Sequence, residues 1–136
     1  NKLGNLVSRV SALAEKYSLE ETEPLKVKTL LKKVESNFNS LELDKALNEI
    51  FSFIDYCNEY TQKTKPWETH DKKILYQLCN TIKDIAILLS PFLPETAEKI
   101  AKTFNFEISL KSLKTPLKIS KIKKADILFR KIENVK

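Results

Sequence analysis

Apolar residues recur three and four positions apart over most of this chain, the period of a helix with one buried face. Leu3, Leu6, Val7, Val10, Leu13, Ala14 and Tyr17 form the first stripe and predict a helix over about 3–17. Val27, Leu30, Leu31, Val34 and Phe38 predict a second over about 27–38, with Pro24 just ahead as a start signal. A third, the longest, starts near Glu42. Its inner face is Leu43, Ala46, Leu47, Ile50, Phe53, Ile54 and Cys57. The charges of Glu42 and Asp44 suit the positive end of its dipole. The polar run Thr61-Gln62-Lys63-Thr64-Lys65 then reads as a loop that carries Pro66-Trp67.

A fourth helix begins near Trp67 or Asp71 and reaches Leu89, with Ile74, Leu75, Leu78, Ile82, Ile85, Ala86 and Leu89 inward. Ser90-Pro91-Phe92-Leu93-Pro94 ends it, because two prolines cannot continue a helix interior. Pro94 suits the first turn of a fifth helix through about Phe104. Residues 105–136 are lysine-rich and weakly periodic, with a short helix over about 119–129. The pattern predicts an all-α fold, an antiparallel bundle of about five helices with a lysine-rich C-terminal tail. One domain spans 1–136, with the bundle in 1–104 and a basic extension in 105–136.

Composition agrees with helices. The chain has 136 residues, enough to bury a core, and only one glycine for the turns a β protein needs. No run approaches the roughly 18 apolar residues of a membrane span, and no signal-peptide pattern is seen. The chain starts at Asn1 and contains no Met, as expected of a piece of a longer protein. Cys57 and Cys79 sit on apolar faces without partner ligands, which predicts two small core residues in a reducing cytoplasm rather than a metal site.

Charge is uneven. The chain holds 24 Lys/Arg and 18 Asp/Glu; residues 107–136 carry nine and three of these, leaving fifteen of each elsewhere. The whole excess lies in the tail. Basicity makes a nucleic-acid partner plausible, and a solvated surface tail explains the charge equally well.

No catalytic constellation stands out. His70 is the single histidine, and a lone loop histidine is usually solvated. There is no glycine-rich phosphate loop and no G-x-S-x-G. Acidic residues scattered among lysines at helical spacing predict exposed, salt-bridged faces. The string Lys118-Ile119-Ser120-Lys121-Ile122 looks like a degraded lysine loop for ATP phosphates, but it lies near the C-terminus with no nucleotide-binding fold around it.

The first helix offers more. Asn5 and Arg9 are four apart and share a face that Ala12 and Lys16 continue, turned away from the apolar stripe. Arg and Asn read base edges by paired hydrogen bonds, and Trp67, the only tryptophan, can stack on an unpaired base. On these residues alone, an ordinary solvent-facing helix is the simpler reading.

A family resemblance shifts that balance. Leu3-Gly4-Asn5-Leu6-Val7-Ser8-Arg9 resembles the L-G-N-L-x-x-R opening of the anticodon-binding domain of methionyl-tRNA synthetases, class I aminoacyl-tRNA synthetases. Asn58-Glu59-Tyr60 with Pro66-Trp67 is similar to that family's N-x-Y followed by P-W. Pro91-Phe92-Leu93-Pro94-Glu95-Thr96-Ala97-Glu98-Lys99-Ile100 and Leu128-Phe129-Arg130-Lys131-Ile132-Glu133 resemble its P-F-x-P-x-x-A-E-x-I and L-F-x-K-I-E stretches. The signatures come in family order and span nearly the whole chain.

The resemblance implies recognition of the CAU anticodon of methionine tRNAs. Trp67 would stack on a base, Asn5 and Arg9 would discriminate bases, and Asn58, Tyr60 and Pro66 would support them. Tail lysines Lys121, Lys123 and Lys124 would add phosphate attraction. Partners would be the tRNA anticodon loop and the catalytic domain of the same cytoplasmic synthetase, with no membrane. That catalytic domain, with its HIGH and KMSKS signatures, is absent. So the chain should bind no cofactor, ATP and methionine being held elsewhere, and should be inactive alone. Glu59 departs from the pattern, where a basic residue is common. The alternatives are the anticodon domain of a related class I synthetase, or a helical protein-interaction scaffold. The geometry expected is an exposed Trp67 ring above the Asn5/Arg9 face, with room for an unstacked cytosine.

Overall fold

The computed structural model describes residues 2–17, 19, 22 and 28–109. Among these residues it is all helix and turn: α1 (Lys2–Lys16), α2 (Lys28–Asn39), α3 (Leu43–Thr64), the single turn α4 (Pro66–Thr69), α5 (Lys72–Leu89) and α6 (Pro94–Phe104). The all-α bundle expected from the periodicity is the fold observed. Pro24, the tail from 110 onward and the predicted helix over 119–129 lie outside the described residues.

The predicted stripes form one core, apart from Leu43, which is exposed at the first position of α3 instead of facing inward. Leu6, Val10, Ile50, Ile54, Leu78 and Phe104 are each essentially inaccessible and belong to a single cluster. Cys57 and Cys79 lie in the same cluster, unpaired, and burial pushes both thiols up, that of Cys57 to about 12. α2 packs on α3 and α6 on α5, while α1 crosses both α3 and α5. α2 and α3 run antiparallel, with Lys33 reaching Glu49, and so do α3 and α5, with Tyr60 reaching Gln77. α1 and α3 lie side by side in the same direction, since Lys2 meets Asp55 and Arg9 meets Trp67 beyond the end of α3.

Two expectations are corrected. The polar run after Tyr60 is not a loop, because α3 continues to Thr64. The hydroxyls of Thr61 and Thr64 each donate to the carbonyl four residues back, at 2.8 Å, so polar side chains stay within the helix's own hydrogen bonds. Pro66 then bars Lys65 from the right-handed helix, and Lys65 turns left-handed at φ 48°. The second correction concerns charge. Lys83 and Asp84 do not sit on an exposed face; both are buried in α5, with Nζ 3.4 Å from Oδ1. α5 is contacted by α1, α3 and α6, so little of its circumference is left for solvent.

Scarce glycine does not mean scarce left-handed turns. Leu41, Lys65, His70 and Asn105 all have φ between 48° and 59°, and the last three cap helix C-termini. A side chain there costs roughly 1 kcal/mol against glycine. The compensation is local: Lys65 N–H donates to Thr61 O at 3.0 Å, and His70 N–H to Pro66 O at 2.8 Å. α5 starts on Asp71, whose Oδ1 accepts from Lys73 and Ile74 N–H at 3.0 and 3.2 Å. Asp71→Ala should cost about 1 kcal/mol, read as a lower urea midpoint at unchanged slope. An unchanged midpoint would show that α5 is held by packing alone.

Candidate nucleic-acid interface

Because α1 and α3 run in parallel, a groove opens between their outer faces. α1 contributes Lys2, Asn5, Arg9 and Ala12, spaced three and four apart along one side of the helix. α3 contributes Asp55, Asn58, Glu59 and Gln62, the same spacing on the facing helix. Trp67, carried on α4, closes one end.

The groove has two compartments that share Arg9 and Gln62. One, of about 420 Å³, is largely apolar and is completed by Ala12, Leu13 and Trp67. The other, of about 520 Å³, is polar and is completed by Lys2, Asn5, Asp55, Asn58 and Glu59. The Arg9 guanidinium carbon lies 5.6 Å from the Trp67 ring centroid, within cation–π range. The ring is half-buried, not fully exposed as the sequence suggested, because it leans toward Arg9 on α1. Pro66 is buried at the first position of α4 and fixes the approach of the residue beside it.

Asn58 holds the groove together. Its Nδ2 donates to Lys2 O at 3.3 Å and to Ile54 O at 3.2 Å, joining the start of α1 to α3. Lys2 Nζ lies 2.8 Å from Asp55 Oδ1, a second tie between the same two helices, solvent-exposed and correspondingly weak. Tyr60 is not brought to the groove. Its hydroxyl donates to Gln77 Oε1 at 2.9 Å on the α5 side, its ring neighbours Tyr56, and burial pushes its phenol up. His70 is exposed yet not simply solvated, since its ring stacks on Tyr17 with centroids 4.0 Å apart. Lys16 lies over the same Tyr17 ring at 5.4 Å. Lys121, Lys123 and Lys124 lie outside the described residues.

Sequence reasoning therefore brought out Asn5, Arg9 and Trp67 but missed Gln62, which borders both compartments. The signal was present: Asp55, Asn58, Glu59 and Gln62 are a polar stripe at i, i+3, i+4 and i+7. Taking 61–65 as a loop removed its last member.

The pattern described as the anticodon-binding domain of tRNA ligase matches residues 25–136. The chain belongs to this family. Among curated relatives of the domain, the methionine–tRNA ligase of Clostridium acetobutylicum is 32% identical over 157 residues, covering 98% of this chain and 24% of the relative. That of Borrelia turicatae is 33% identical over 145 residues, covering 95% and 20%. The anticodon-binding domain here thus spans about a quarter of the length of the curated relatives it matches. Its fold is that of a segment of Mycobacterium tuberculosis methionyl-tRNA synthetase bound by methionyl-adenylate, with TM-score 0.83, 21% identity, and coverage of 95% of this chain and 31% of that one. The resemblance to the methionyl branch drawn from four short motifs is upheld by these similarities. No helix among the described residues is long and apolar enough to cross a membrane.

Proposed function

We propose that this domain reads the CAU anticodon of methionine tRNAs as part of a cytoplasmic methionine–tRNA ligase. The observation that carries the reading is the placement of the Arg9 guanidinium 5.6 Å over the Trp67 ring, in a groove that also takes in Asn5. The indole supplies a stacking surface for an unpaired base, and Asn5 and Arg9 supply donors and an acceptor for its edge. Asn58 and Pro66 set the geometry rather than touch RNA, and Tyr60 supports α3 from the far side. The tail lysines Lys121, Lys123 and Lys124 add salt-sensitive attraction to phosphates. The bundle and the basic extension act as one domain over 1–136.

The chemistry of aminoacylation belongs to other residues of such a ligase. This domain holds neither ATP nor methionine and catalyses nothing by itself; its contribution is to select the tRNA. A scaffold role would favour a large apolar patch centred on Trp67, or side chains of Asn5, Arg9 and Trp67 pointing apart. Among the described residues the large, strongly exposed apolar side chains are instead Leu41, Leu43 and Tyr56, none of them in the groove.

The test is binding of an anticodon stem-loop at low and moderate salt. A CAU loop is expected to bind more tightly than one with a changed first base. Equal binding of the two loops at every salt concentration would refute base recognition and leave only phosphate attraction.

A further inference from the structure

The two walls of the polar compartment differ in charge. α1 presents Lys2 and Arg9 beside Asn5, whereas α3 presents Asp55, Asn58, Glu59 and Gln62. Most of these groups are already engaged within the protein. Asp55 faces the Lys2 ammonium at 2.8 Å, the Asn58 amide nitrogen donates to two backbone carbonyls, and Arg9 lies over Trp67. Among the charged groups Glu59 is the exception. It is exposed, lines the groove, and makes no ion pair among the described residues. On α3 it stands one turn before Lys63 and three residues before Gln62, the residue common to both compartments.

An uncompensated carboxylate in a nucleic-acid groove has two consequences. It repels phosphate, so a strand in the groove keeps its backbone away from the α3 wall and leaves that wall to base edges. It also accepts hydrogen bonds and donates none, so it suits an exocyclic amine and opposes a carbonyl oxygen at the same place. Cytosine and adenine carry such an amine; uracil and hypoxanthine carry oxygen there.

We infer that Glu59 is a specificity-determining residue: in the polar compartment it accepts a hydrogen bond from the exocyclic amine of one unstacked base and rejects the keto counterpart. The inference rests on the anticodon-reading role proposed above and adds a residue to it.

The experiment uses the 136-residue chain and three fluorescein-labelled stem-loops read by anisotropy at low salt. Their loops are CAU, UAU, and CAU with inosine replacing adenine. Each change swaps one amine for a carbonyl and leaves the ring in place. The unaltered protein should bind CAU roughly tenfold more tightly than one of the two keto loops. In Glu59→Gln, whose amide can turn to face either group, that ratio should fall to within about twofold. An unchanged ratio in Glu59→Gln overturns the inference, and if Trp67→Ala still weakens all three loops, the anticodon-reading role stands without it. If neither substitution alters binding of any loop, both fail together.

Discussion

Trp67→Ala is expected to weaken binding of a CAU stem-loop by about 5- to 150-fold, the range set by roughly 1–3 kcal/mol for loss of one base–aromatic stack. α4 is one turn long, begins on buried Pro66, and is bounded by left-handed Lys65 and His70, so the direction of the indole is set by backbone rather than by a flexible loop. Arg9 at 5.6 Å holds the ring from α1. A platform ordered before RNA arrives avoids the cost of ordering it on binding. Trp67→Phe keeps a smaller ring and should lose only part of the affinity. Because Trp67 is half-buried, both variants need thermal melts alongside. A loss of affinity that tracks loss of folded protein would refute the stacking role. In a full-length ligase the same Trp67→Ala change should depress tRNA charging and leave activation of the amino acid by ATP unaltered.

The sequence announced some of this arrangement and concealed the rest, for physical reasons. α6 was legible at its start because Pro94 suits a first helical turn; its end falls at Asn105, which turns left-handed at φ 59° and donates its N–H to Ala101 O. Asn5 and Arg9 were legible as a pair because four residues is one turn, whatever the helix packs against. The end of α3 was not legible, because its last turn contains no outward sign of burial. Thr61 is 1% exposed although it is polar, its hydroxyl being satisfied by Cys57 O. That extra turn places Gln62 in the groove and brings Trp67 within reach of Arg9. Periodicity reports which side of a helix is apolar, but not what closes over the other side. That limit hid the burial of Lys83 and Asp84.

The second large effect follows from that buried pair. Asp84 stays close to Lys83, yet its carboxyl is raised from 3.8 to about 6, because loss of solvation outweighs the attraction of the ammonium. The ion pair lacks hydrogen-bond geometry at Oδ1, which leaves that oxygen poorly compensated. The folded protein therefore holds the Asp84 proton more tightly than the unfolded chain does. This stabilises the fold fully below about pH 4, and the contribution is lost as pH rises through about 6. A difference of about two pKa units corresponds to on the order of 3 kcal/mol. Urea unfolding at pH 4 and pH 7 should show that slope, and Asp84→Asn, which cannot ionise, should remove it. Lys83→Met should steepen it, since deleting the ammonium raises the carboxyl further. By the same balance Asp84→Asn is expected to be the more stable protein at pH 7, since an amide carries no charge to desolvate. The diagnostic is thus the difference in pH slope between the two proteins, not their stability at one pH. Parallel slopes would mean that Asp84 is ionised in the fold down to its ordinary range, with Lys83 compensating its burial in full.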